Sequence, residues 1–530
     1  MATAGRLRTL VFSRRNLQRF WIIYCAIARK GRGTYNICMS NHCWLTSSQV
    51  ALATSVVCAY PRTPPFHPPE HFTELAFLPA FAPDPTNAAY RAVRDALALL
   101  FGAPDVPAWN PLAGLVQPGD TVVLKPNFIK EQHETRPAEW QQVITHGAII
   151  RAACDYVLLA LRGQGRVIVC DAPQTDSSFD EICRGSGTHA VVCWYNTWSP
   201  VPVELLDLRR EEWEARDDVI IRRTALAGDP RGYVAVNLGA HSRFHGIHPR
   251  HGFYGADYNT TVTRLHHHDD IHEYLLSGTV LQADVVINLP KLKTHKKTGL
   301  TCALKNFVGI NGDKNWLPHY MLGAPEEGGD QFSTHTGKTH TERVLMTRIK
   351  QALTHTPAWV NHLFRPVKHL GKRVFGSTQQ VVRSGNWHGN DTTWRMTLDL
   401  NTCFFYGQSG QLDPHARRRY LTIVDGIIAG EGDGPLAPDA KPCGVILAGC
   451  NPVAVDLTCA WLMGFDWRKL RLLTGACASH ELPLCAFQPD AIELLATNPL
   501  WCGQLAALQH IIPYRFAPHF GWRGALERDG

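Results

Sequence analysis

Asp284-Val285-Val286-Ile287-Asn288-Leu289-Pro290-Lys291-Leu292-Lys293-Thr294-His295-Lys296-Lys297-Thr298-Gly299-Leu300-Thr301-Cys302-Ala303-Leu304-Lys305-Asn306 is the stretch that decides the fold. Residues 284–288 form a short apolar run of the kind seen where both faces of a strand are covered, which is the habit of parallel sheets. Five lysines and a histidine then fall within fifteen residues. In doubly wound sheets ligands bind beyond the carboxyl ends of strands, so this polar exit is the first candidate site.

Working outward, the same grammar recurs. Pro118-Gly119-Asp120 turns into a strand over 121–124 that ends in Lys125-Pro126-Asn127, and a strand over 166–170 ends in Asp171-Ala172-Pro173. Further strands are predicted over 421–424 and 444–448, and helices over 87–101, 146–161 and 273–281. Another helix opens at Asn451-Pro452, with Asn as cap and Pro in the first turn. Strands alternating with helices predict an α/β fold with a largely parallel sheet and flanking helices. Residues 325–385 differ. Seven basic residues and one acid over 341–375 predict a basic helical insertion, either a solvated excursion, a cover over a site, or a membrane-surface helix. The expected organisation is a leader over 1–71, a first α/β part over 72–324, the insertion over 325–385, and a second α/β part with a helical end over 386–530.

Charge is unevenly distributed. The 53 Lys+Arg and 46 Asp+Glu give +7, yet residues 1–69 hold nine basic residues and no acid. The remainder is near neutral at −2, which gives no ground for a nucleic-acid partner. The leader reads as a twin-arginine signal (Arg14-Arg15), a transit peptide, or sequence from an upstream start codon, with 61–69 as a Pro-rich spacer. Its apolar runs are too short to span a bilayer. Sixteen cysteines include no C-x-x-C pair, so a ferredoxin-type cluster is not expected and buried, reduced thiols in the cytoplasm are.

Chemistry is expected at the strand exits. Lys125, Asn127, Lys291, Lys293 and Asn306 would hold the anionic or hydroxyl groups of a small substrate, and His295 or Lys305, the two candidate catalytic residues, would exchange a proton with it. Asp171, Asp425 and Glu431 are candidate ligands for a divalent metal, the last two within Asp425-Gly426 and Gly430-Glu431-Gly432-Asp433-Gly434, read as a loop. A tight acidic turn is the alternative. The Trp- and Asn-rich stretch 385–395 adds Asn390, Asp391 and Arg395 as substrate contacts. His266-His267-His268 with His272 has the ligand types for a transition metal, although neighbours along one helix diverge.

Several of these motifs together, namely Leu124-Lys125-Pro126-Asn127, residues 288–309, Asp425-Gly426-Ile427 and Asn451-Pro452-Val453-Ala454-Val455-Asp456, resemble the bacterial and archaeal domain-of-unknown-function family 362 over roughly 75–464. The resemblance implies little about activity. Some members carry iron–sulfur modules, whose cysteine spacing this chain lacks, and residues 315–319 and 390–395 resemble a branch associated with polysaccharide-related genes. A second resemblance is to the nickel-dependent lactate racemase family, through the spacing of His295, Gly299 and Lys305. It implies a lysine-held nickel-pincer cofactor. Cys302-Ala303-Leu304 stand where that family has paired glycines. The expectation is an enzyme acting on a small anionic or polyhydroxylated molecule, with a non-catalytic accessory or redox-associated protein as the alternative.

Overall fold

A computed structural model describes residues 43–102, 108–216, 219–255, 259–336, 339, 381–415 and 418–528. The basic insertion expected over 325–385 and most of the leader fall largely outside these residues. The central sheet comprises β1 (Gln49–Thr54), β2 (Thr121–Pro126), β3 (Arg166–Asp171), β4 (Val203–Asp207), β5 (Val285–Leu289), β6 (Lys291–His295), β7 (Gly299–Thr301), β8 (Arg419–Asp433), β9 (Ala437–Gly449), β10 (Glu493–Ala496) and β11 (Gly503–Gln504). Its lateral order is β11-β10-β1-β9-β8-β5-β2-β3-β4, with β6 beside the later part of β8 and β7 beside β6. From β8 to β4 every pairing is parallel, and Ile287 lies between Leu124 and Leu421. The expected α/β architecture with a mostly parallel sheet is the one observed.

Helices flank the sheet: α1 (Ala88–Phe101), α2 (Gly147–Leu161), α3 (Ala303–Asn306), α4 (Thr393–Tyr406) and α5 (Pro452–Met463). Their starts follow local chemistry. Asn87 accepts from Tyr90 N at 3.0 Å, His146 from Ala148 N at 3.1 Å, and Asn451 from Val453 N and Ala454 N at 2.8 and 3.0 Å. Each satisfies helix donors that have no intrahelical partner. No helix among the described residues is long and apolar enough to cross a membrane. Cys154, Cys170, Cys183, Cys302, Cys403, Cys443 and Cys459 are buried free thiols.

Four stretches differ from the sequence reading. The run 49–54, read as part of the leader, is β1, paired to β9 and β10 inside the sheet; too short for a bilayer, it has the length of a strand. The Pro-rich 61–69 is likewise packed: Phe66 is buried, and the carbonyls of Phe66 and His67 accept from Asn87 Nδ2. Residues 273–281 are not one helix. His272, Tyr274 and Leu276 are fully buried while Ile271, Glu273 and Leu275 are less so, and this period of two makes Ile271–Ser277 a strand, with only Gly278–Gln282 helical. The acidic glycine stretch is not a loop either. Gly430–Asp433 continues β8 and pairs antiparallel with residues 437–440 of β9. Its glycines serve packing: a Cβ on Gly430 would meet Gln142 O and Lys293 Cβ at 3.0 Å.

Candidate anion site at the strand exits

β2, β3 and β5 deliver their polar ends to one place. Lys125 Nζ stands 2.7 Å from Asp171 Oδ1 and donates to Pro126 O at 2.9 Å, while Asp171 Oδ2 accepts from Phe128 N at 2.7 Å. Both side chains are buried. Gly309 is required here, because a Cβ would come 1.9 Å from Asp171 Oδ1. Beside this pair runs an asparagine ladder. Asn127 Nδ2 donates to Asn306 Oδ1 at 2.9 Å, Asn306 Nδ2 to Asn288 Oδ1 at 2.7 Å, and Asn288 Nδ2 to Ala303 O and Tyr420 OH at 3.0 and 2.9 Å. The ladder fixes α3, the short helix that carries Lys305. Asp456, from α5, accepts from the first N–H groups of α3 (Ala303 N 2.7 Å, Leu304 N 3.1 Å), and Asn401 Nδ2 donates to Leu304 O at 2.9 Å.

Lys305 itself is only 9% exposed, and its ammonium has no acceptor among the described residues. Burial and the charge of Lys125 push its pKa down to about 8. Its neighbours show the same depression. Burial, then Lys291 and Lys305, hold Lys293 well below an ordinary lysine, and Lys314 falls to about 7 through burial despite the opposing pull of Asp171. An ammonium has three N–H donors. Lys293 gives two to the carbonyls of Val143 and Pro435, and Lys314 two to Val308 O and Asn311 O.

The histidines of this cluster are neutral, with defined tautomers. His295 Nδ1 accepts from Lys297 N and Thr298 N, both at 3.1 Å, which places the ring proton on Nε2. Burial and the nearby lysines, Lys305 first, keep its pKa far below the ordinary value. His295 is therefore a hydrogen-bond donor, whereas the sequence left open whether it or Lys305 moves the proton. His319 is the reverse case: its Nδ1 lies 2.9 Å from Leu317 O and so carries the proton, leaving a lone pair on Nε2. Two buried acceptors, Asn127 Oδ1 and Thr301 Oγ1, have no partner among the described residues.

The other expected residues lie in different settings. Lys291 Nζ donates to Tyr60 OH at 2.6 Å and Asp425 Oδ2 at 3.1 Å; Tyr60 OH donates to Asp425 Oδ1 at 2.5 Å, and His146 N to Asp425 Oδ2 at 3.0 Å. The His146 ring stacks on Tyr60 at 4.0 Å. This network is closed on itself. Glu431 pairs with Lys441 at 3.0 Å and accepts from Ala517 N at 2.8 Å. Asp171, Asp425 and Glu431 thus have three separate sets of partners, and among the described residues no three His, Cys, Asp or Glu side chains gather as a metal site. His266 stacks on Trp316 at 3.3 Å and meets Glu273 Oε2 at 2.9 Å, while His267 and His272 are buried among aromatic rings. Asn390 caps α4 by accepting from Thr392 N and Thr393 N, and Asp391 is bound by Arg395 and Arg471. Asn390 reaches the site only indirectly, by donating to His319 O at 3.1 Å.

Residues not foreseen are Tyr60, His146, Lys314, His319, Thr301, Gly309 and, as the clamp on α3, Asp456. Lys314 and His319 had a signal, being polar residues soon after the lysine run. Tyr60 had none.

No curated protein matches the chain. Among solved structures, a crystal structure of a protein from Thermotoga maritima is similar at 12% identity and a TM-score of 0.32, over 70% of this chain and 58% of that one. The chain thus spans little more than half the length of that protein. Lys125 and Asp171 lie outside the stretch matched by a family profile, whereas Lys291, Lys293, His295, Lys305, Asn306 and Asp425 lie inside it. Over residues 233–461 the chain matches the family described as Domain of unknown function (DUF362).

Proposed function

We propose that the chain is an enzyme that binds a small anionic substrate among Lys125, Lys293 and Lys305, with Lys305 exchanging a proton with it. One observation carries this reading: Lys305 is only 9% exposed and its ammonium has no acceptor among the described residues, in a cluster whose cations outnumber its one carboxylate, Asp171. A buried charge without a partner is costly, and an arriving anion would supply the missing partner. With a pKa of about 8, Lys305 is within reach of both protonation states near neutral pH. His295 Nε2–H would donate to a substrate oxygen, and Asn127 Oδ1 and Thr301 Oγ1 would accept from substrate hydroxyls. Nickel chemistry does not fit these residues, since His295 Nδ1 is taken by main-chain donors and, among the described residues, no three His, Cys, Asp or Glu side chains gather around it.

The test uses inorganic phosphate and oxalate as probes. Both are expected to raise the melting temperature of the wild-type protein. The Lys305→Ala protein should fold with an unchanged circular dichroism spectrum yet lose that rise. A variant that responds like wild type would refute the reading.

A further inference from the structure

Among the buried lysines at the strand exits, Lys305 alone has no acceptor for any of its three donors among the described residues. Lys125 faces Asp171, Lys291 faces Asp425, and Lys293 and Lys314 each hold two carbonyls. The helix that carries Lys305 is clamped at both ends, by Asp456 and by the asparagine ladder, so its amine is held against the cations rather than swinging into water. A largely buried amine pressed by neighbouring positive charge is the arrangement that turns lysine from a counter-ion into a nucleophile toward carbonyl carbon. At pH 7 about a tenth of Lys305 is free amine, against well under a thousandth of an ordinary lysine. The neighbouring cations favour a carbonyl compound that is also an anion.

We propose that Lys305 forms an imine with a small 2-oxo carboxylate, whose carboxylate is held by the adjacent lysines and whose carbonyl oxygen takes the Nε2–H hydrogen bond of His295. This rests on the anion-binding reading above and names its substrate class. The nitrogen attacks the carbonyl carbon, a C–N bond forms, and the oxygen takes a proton to give a carbinolamine. The C–O bond then breaks and the oxygen leaves as water. Both protons of that water come from the ammonium, so one ammonium and one ketone give one iminium and one water, with no change in oxidation state. His295 stays neutral throughout and serves as a fixed donor.

The test treats the full chain with pyruvate and sodium cyanoborohydride, then maps the reduced adducts by mass spectrometry of its peptides. The expected result is one dominant adduct, on Lys305, whose yield climbs between about pH 7 and pH 9, below the range of ordinary lysines. Inorganic phosphate should suppress it, and Lys305→Arg should abolish it at an unchanged melting temperature. Adducts scattered over surface lysines with Lys305 unmodified would overturn the proposal. If phosphate raises the melting temperature while Lys305 stays unmodified, the imine falls and the anion site stands. If neither occurs, both fall.

Discussion

Lys291 and Lys305 sit fourteen residues apart, both buried, and their surroundings are opposite. Lys291 has a carboxylate and a phenol within 3.1 Å, and Asp425, the carboxylate, is further held by a main-chain N–H of His146. Lys305 has neither among the described residues, and besides burial the charge that acts on it is that of another lysine, Lys125. The first network is complete and belongs to the architecture, pinning β6 and β8 to the segment around Tyr60. The second is incomplete, and that imbalance is what the proposed anion site rests on. Burial of charge therefore does not distinguish structure from function in this protein; the balance of donors and acceptors does.

That contrast can be broken from either side. The largest effect is expected from Asp425→Ala, which leaves Lys291 and Tyr60 buried without their acceptor. Removing one partner of a buried pair should destabilise by about 3–5 kcal/mol, read as a fall in the urea midpoint. Gly309→Ala should come next. Its new methyl would displace the Lys125–Asp171 pair, at about 1–3 kcal/mol, with a matching loss of phosphate binding by calorimetry. A pH series sharpens the comparison. The ammonium form of Lys305 binds the anion, so affinity should be full below about 8 and fall as pH rises through that value, by at most about tenfold per unit from this one group. A pH-independent affinity would mean that Lys305 is not the titrating group. The smallest effect on stability is expected from Lys305→Met. With no ion pair to lose, its melting temperature should equal or exceed that of wild type, the reverse of Asp425→Ala.

The strands that end at the site were legible because each is an apolar run closed by a turn or a polar exit. Thr121-Val122-Val123-Leu124 after Pro118-Gly119 is one, and residues 284–288 before Pro290 another. Lys305 and His295 were legible because cations interleaved with Leu292, Leu300 and Leu304 cannot all be solvated. The partners of the carboxylates were not. Asp425 meets Tyr60 across 365 positions, and Tyr60 lies in a stretch with no periodic pattern. The glycines of 426–434 misled for a physical reason, since the same lack of a side chain suits a loop near a ligand and a strand against which another backbone packs. His295 was placed correctly at a strand end, but its tautomer depends on the N–H groups of Lys297 and Thr298, which only the folded turn presents.

β1 has a consequence for how the molecule is made. Val50 pairs with Gly449 on one side and Leu494 on the other, so the early strand waits for partners about 400 residues downstream. At roughly 5–20 residues per second of synthesis, that is a delay on the order of 20–80 s. During it, the apolar Val50-Ala51-Leu52-Ala53 has no sheet to join, and the five parallel strands can assemble beforehand with β8 still open on one edge. β1 can thus enter the sheet only after β9, its neighbour on the side of the parallel strands, has been made. Inside a cell, the interval before β9 and β10 emerge is when a chaperone holding that segment would matter most.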